Sequence, residues 1–184
     1  MLRKSLLGTV VIAALVAGFL FLRRPAPAPP SSPYVAQLES PVRGLSAQEV
    51  RDLLAGAGAG YARTAELNGY PGPRHVLEMR AALDLTPDQV RRTDATFAAM
   101  ETEAKRLGAE IVERERALAA RFADHAVGTQ DLATAVDSLA QLYGRLRTTH
   151  LAAHLATTAL LTDAQIARYN TLRGYGAEHR HGTD

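Results

Sequence analysis

Leu85-Thr86-Pro87-Asp88-Gln89 opens one helix, and Leu161-Thr162-Asp163-Ala164-Gln165 opens another in the same way. In each stretch a threonine hydroxyl can accept from the N–H groups of the first turn. A glutamine three residues later can reach back to the threonine's own N–H, which makes a capping box. Pro87 suits the first helical position, and Asp88 sets a negative charge at the positive end of the helix dipole. No proline follows Pro87 anywhere in the chain. Val90, Phe97, Ala104, Ile111 and Leu118 then recur every seven residues, with Met100 and Leu107 between them. That pattern predicts one helix of about 35 residues with an apolar seam.

Working outward, Gly128 and Thr129 break this helix, and Thr129 reads as the cap of the next. The second long helix, over 130–158, carries Leu132, Val136, Leu139, Leu142 or Tyr143, Leu146 and Ala153 on its seam. Two long helices joined by a short loop pack antiparallel. The second box starts a last helix that reaches Arg173 and stops at Gly174. On the other side, Ser46 and Glu49 form a further capping box with Leu45 placed as a staple, and that helix ends before Gly56. A short helical piece over 61–67 leads to the turn Asn68-Gly69-Tyr70-Pro71-Gly72, and Pro73 starts a helix through Ala82 or Leu83. Nothing in 45–173 alternates with period two, so the fold class is all-α.

Composition narrows the function. The 184 residues contain no Cys and no Trp, and only 5% are aromatic. That excludes disulfides, thiol nucleophiles and Cys-based metal or iron–sulfur sites, and it argues against a stacking platform for single strands. The pI of about 9.1 hints at a polyanion partner. Its source contradicts the hint. Arg3, Lys4, Arg23 and Arg24 lie in the first thirty residues, which hold no acidic group; removing those four from 21 leaves 17 basic against 19 acidic residues. The body is mildly acidic, and nucleic acid is not an expected partner.

Those four cations frame Ser5 to Leu22, eighteen uncharged residues in which only Ser5 and Thr9 are polar. This reads as a single membrane span, a signal anchor over 1–24, with a cleaved signal as the alternative. Ala26-Pro27-Ala28 is a poor cleavage site because Pro29 follows it. The Pro25–Pro33 run favours extended polyproline, which at about 3.1 Å per residue spaces the body roughly 25–30 Å from the bilayer, and it belongs to a linker over 25–44. The helical domain occupies 45–173, and 174–184 read as a disordered tail.

Two Leu-Thr-x-x-Gln boxes flanking a long helical hairpin, behind an export segment and without cysteine, resemble the Spy/CpxP family of bacterial periplasmic proteins. The resemblance covers 73–173 and extends to the heavy-metal-sensor and zinc-resistance-associated relatives. It implies a curved helical hairpin that dimerises, and so a homodimer here. It also implies one of three roles: an ATP-independent chaperone for unfolded clients, an inhibitory partner of a sensor kinase, or an anchored metal sensor acting on an anti-sigma factor. The anchor favours the sensor branch and places the domain in the periplasm, tethered to the inner membrane. A chaperone cradle is the alternative function.

His150 and His154 sit four apart on one helix face, with Cβ atoms about 5–6 Å apart, a geometry that chelates Zn²⁺, Ni²⁺, Co²⁺ or Cu²⁺. The competing reading is a pair of half-exposed structural histidines. Two ligands do not complete a site. His75, with Glu78 or Met79, on the short helix leading into the first box is the candidate for the third. The metal-sensing relatives likewise take His, Glu and Met from the segments that lead into both boxes. His179 and His181 offer a weaker capture motif in the tail. His125, beside Asp124 at a helix end, reads as structural. Glu110, Glu113, Arg114, Glu115 and Arg116 form a solvated face. Gly56, Gly58 and Gly60 lack the strand, helix and lysine of a phosphate loop. No nucleophile stands in a strained turn, so no enzyme is expected.

Overall fold

The computed structural model describes residues 31–175, and the chain divides into two units, Met1–Val35 and Ala36–Asp184. The span over 5–22 and the tail histidines lie outside the described residues. Among the described residues no helix is long and apolar enough to cross a membrane. The second unit is all-helical among the described residues. Its helices are α1 (Ala47–Ala55), α2 (Arg63–Leu67), α3 (Pro73–Glu78), α4 (Pro87–Ala123), α5 (Thr129–Thr158) and α6 (Asp163–Leu172).

All three capping boxes form as read. Ser46, Thr86 and Thr162 each accept from the N–H three residues on, and Glu49, Gln89 and Gln165 each reach back. Gly56 ends α1 in the left-handed conformation at φ 63°. Three boundaries differ from expectation. The cap of α5 is Gly128, with no side-chain bond, and Thr129 is already helical. The second helical piece begins at Arg63 rather than Tyr61. The helix from Pro73 stops at Glu78, not at Ala82 or Leu83. There the chain must turn to enter Thr86, and Asp84 adopts φ 49° while Leu85 N–H closes on Arg80 O at 3.0 Å.

α4 and α5 run antiparallel, as contacts far apart in sequence show. Gln89 meets Leu160, Glu103 meets Arg145, and Glu115 meets Tyr143. The main core joins this hairpin to α1: Leu45, Val50 and Leu53 pack with Ala104, Leu107, Ile111, Leu139, Leu142 and Leu146. Val42 also joins it at 2% exposure, so the packed chain begins before residue 45. Gly108 makes the crossing possible, since a Cβ there would stand 1.9 Å from Leu53 O. The seam of α5 runs through Ala135 and Leu139, while Val136 is 47% exposed and lies off it. A step of three or four from Leu139 reaches either residue, and only Ala135 keeps the heptad through Leu142 and Leu146. The seam position between Leu146 and Ala153 belongs to His150, which is buried.

A second, smaller core gathers Val76, Leu83 and Tyr169, with Met79, Leu85, Leu161 and Tyr175 against it. It is closed by the two boxes themselves. Gln89 Nε2 donates to Leu160 O at 2.9 Å and to Gln165 Oε1 at 2.8 Å. Gln165 Nε2 donates to Leu83 O at 3.2 Å and to Gln89 Oε1 at 3.1 Å. Each glutamine therefore caps its own helix and grips the segment that leads into the other. This clasp holds α3 and α6 against the root of the hairpin.

Candidate functional site

Beside the clasp lies a cavity of about 380 Å³. Its wall comes from the α1–α2 loop, from Glu66 on α2, from Gly72 and His75 at the start of α3, from Phe97 and Met100 on α4, and from His150 and His154 on α5, with Tyr175 at one edge. Three of the five residues expected to bind metal are thus brought to one cavity. The other two are not. Glu78 is exposed and does not line the cavity, although its charge acts on His75 one turn away, and Met79 packs against the second core.

Each histidine has a distinct setting. His154 Nδ1 lies 2.7 Å from Tyr70 O. A carbonyl only accepts, so Nδ1 carries the hydrogen and a neutral ring leaves its lone pair on Nε2, the arrangement that orients a metal-binding imidazole. Gly72 makes room for that ring, because a Cβ there would fall 2.8 Å from both Cε1 and Nε2. His150 is 2% exposed, stacks parallel on Tyr61 at 5.7 Å, and its Nε2 has no partner. Burial pushes it below the ordinary imidazole value, with His154 adding to the effect. His75 is 36% exposed in its side chain. Burial lowers it first and Arg173 next, while Glu66 and Glu78 pull the other way.

Glu66 is the residue that joins His75 and His154, and sequence reading missed it. Its side chain is 12% exposed. Oε1 is oversupplied: it accepts from Tyr169 Oη at 2.5 Å, Arg173 Nε at 3.2 Å and Tyr175 Oη at 3.4 Å, with His75 Nδ1 at 3.7 Å. Oε2 is buried with no hydrogen-bond partner and lies 3.7 Å from His154 Nδ1. Burial first, and then the neighbouring Glu66 carboxylate, push the Tyr169 hydroxyl far above its usual range, so it stays a donor. Nothing in the sequence around Glu66 marks it. It is one carboxylate on a five-residue helix, and apart from His75 its partners come from more than eighty residues away.

A buried carboxylate oxygen without a donor is unfavourable unless positive charge is supplied. In kind, the orphan oxygen, the His154 lone pair and the half-exposed His75 suit a divalent transition metal. In number they fall short. Among the described residues, no group of three or more His, Asp or Glu side chains is positioned to hold a metal ion as it stands. His125 is remote from the cavity, exposed, and held at φ 52° in the turn that ends α4.

A family model described as LTXXQ motif family protein matches residues 73–173. No curated protein and no solved structure gives a significant match. The matched span is more than half of the chain and includes both boxes, so the chain belongs to the LTXXQ motif family, in agreement with its resemblance to Spy/CpxP-type proteins.

Proposed function

We propose that this member of the LTXXQ motif family is a periplasmic modulator of the Spy/CpxP type that responds to a divalent transition metal and acts on a protein partner. Glu66, His75 and His154 would hold the ion, which supplies the positive charge that Oε2 of Glu66 lacks. The segment over 5–22 would tether the domain to the inner membrane. The reading rests above all on that orphan oxygen beside a histidine whose tautomer is already set for ligation.

The geometry also suggests how occupancy is felt elsewhere. One carboxylate faces His154 with Oε2 and holds the last turn of α6 with Oε1, through Tyr169 and Arg173. Rotation of Glu66 toward the histidines weakens its grip on α6. A two-state element biased at one end in this way is the physical content of a sensor. The expected output is a change in α6 as presented to a kinase or anti-sigma partner. The domain is a binding module on this reading, not an enzyme.

Calorimetric titration of the full chain with Zn²⁺, Ni²⁺, Co²⁺ and Cu²⁺ tests this. One metal should bind at 1:1 more tightly than tens of micromolar, and His154→Ala should abolish the binding. No such binding, or binding unchanged in both Glu66→Ala and His154→Ala, overturns the metal reading. Suppression of a client's aggregation at near-stoichiometric ratio without metal would instead favour the chaperone alternative.

A further inference from the structure

The cavity has a second set of lining groups that the metal reading does not use. They are the loop Gly58-Ala59-Gly60 between α1 and α2, two arginines, and Phe97 and Met100 on α4. Ala59 takes φ 39° and Gly60 φ 81°, so the loop turns through two successive left-handed residues. The N–H groups of Gly58, Ala59 and Gly60 make no hydrogen bond among the described residues, whereas those of Ala57 and Tyr61 on either side are both bound. Consecutive free N–H groups in a turn form a concavity that accepts an anion.

Two cations stand by. Arg63 and Arg74 line the cavity and make no ion pair or side-chain hydrogen bond among the described residues. A Cβ on Gly60 would fall 3.0 Å from Arg63 Nη2, so that guanidinium lies against the loop. The Arg74 guanidinium lies 5.4 Å over the Phe97 ring. Glu66, three residues after Arg63 on α2, could have paired with it, but it is committed to Tyr169 and Arg173. His150 gives an independent sign of a missing partner. It lines the same cavity at 2% exposure, stacks on Tyr61 directly after Gly60, and leaves Nε2 without a hydrogen bond. Such a buried nitrogen is costly until it is paired, and in its N–H form it donates to an anion. Phe97 and Met100 are half-buried and belong to neither core, so the α4 seam is apolar here with no protein packed over it. The volume of about 380 Å³ suits a small ligand; at about 30 Å³ per water-sized group it holds roughly a dozen non-hydrogen atoms.

We propose that this cavity binds a small organic acid. Its carboxylate or phosphate head is held by Arg63, Arg74 and the Gly58–Gly60 N–H groups, with His150 Nε2 as a further donor. Its apolar body lies on Phe97 and Met100. The site goes beyond the metal reading and needs no ion.

The test is calorimetric titration of the full chain, in EDTA, with phenylbutyrate, phenylethyl phosphate and the neutral phenylbutanol. At least one acid should bind at 1:1, about tenfold or more tighter than the alcohol, and the tighter acid identifies the head group. Arg63→Gln and Arg74→Gln should each weaken it about tenfold, the loss of one charge-assisted bond. His150→Phe, which keeps the stacking on Tyr61, should weaken it about threefold or more. Arg116→Gln lies sixteen residues beyond Met100 on α4, about 24 Å away, and should bind as wild type does. Equal binding of acid and alcohol, or affinity unchanged in both Arg63→Gln and Arg74→Gln, overturns the proposal. So does equal weakening in Arg116→Gln, which marks general charge attraction, and so does no binding of either acid at about 10 mM. Acid binding that appears only when Zn²⁺ replaces EDTA places the anion on the ion; that overturns this proposal and supports the metal reading. Circular dichroism of each variant confirms that the fold is kept.

Discussion

Replacing Gln89 by alanine should destabilise the domain far more than loss of a helix cap. The side chain makes four polar contacts. Oε1 accepts from Thr86 N–H at 3.0 Å and from Gln165 Nε2 at 3.1 Å, while Nε2 donates to Leu160 O at 2.9 Å and to Gln165 Oε1 at 2.8 Å. At about 0.5–1.5 kcal/mol net for each bond, truncation is expected to cost roughly 3 kcal/mol. For a domain of this size that lowers Tm by about 6–12 °C. Thr86→Ala removes only the local cap and should cost about 1 kcal/mol. The diagnostic quantity is the coupling. Gln89→Ala and Gln165→Ala each delete the bonds between the two amides, so the double variant should fall short of the sum by about 1–3 kcal/mol. Urea denaturation of the four species, followed by helix ellipticity, measures it. Single variants no worse than Thr86→Ala, with a strictly additive double, would show that the boxes are two local caps and not a tertiary clasp.

Three further outcomes follow from the packing. Gly108→Ala forces α1 away from α4, because the new methyl would meet Leu53 O at 1.9 Å; despite the better helix propensity, the loss should be about 1–3 kcal/mol in urea denaturation. Gly72→Ala suits the backbone at φ −83° but displaces the His154 ring, so metal affinity by calorimetry should drop about tenfold while Tm stays nearly unchanged. His75 and His150 titrate below the ordinary imidazole value when folded, so the unfolded chain binds more protons as the pH falls. Their contribution is intact above the unfolded value of about 6.5 and is lost as pH drops below it, toward the lowered folded values. Tm should be flat above pH 7 and decline toward pH 5, less steeply in His150→Phe, which keeps the stacking on Tyr61; an identical slope in that variant would refute the assignment.

What sequence reading captured was local. A capping box is complete within four residues, so Thr86/Gln89 and Thr162/Gln165 were legible, as was the heptad through Ala104 and Ile111. The second use of the two glutamines was not, because each needs a carbonyl and an amide more than seventy residues away. The early end of α3 at Glu78 has the same origin: local propensity would carry the helix on, and the need to bury Leu83 and enter Thr86 stops it. His150, His154 and His75 could be named as a set from spacing and from their nearness to the boxes. Glu66 could not. Its importance comes from Tyr169, Arg173 and His154 converging on a carboxylate that the sequence presents as ordinary.

The central claim is that this cavity is a metal site, and the histidine ring-proton NMR signals of the full chain during a Zn²⁺ titration test it most directly. The six histidines give separate resonances, and single His→Asn variants assign them. The account predicts that the His75 and His154 signals move together and saturate at one equivalent, while His125, remote on its turn, stays in place. Shifts confined to residues other than His75 and His154, or spread evenly over all six without saturation, would contradict it.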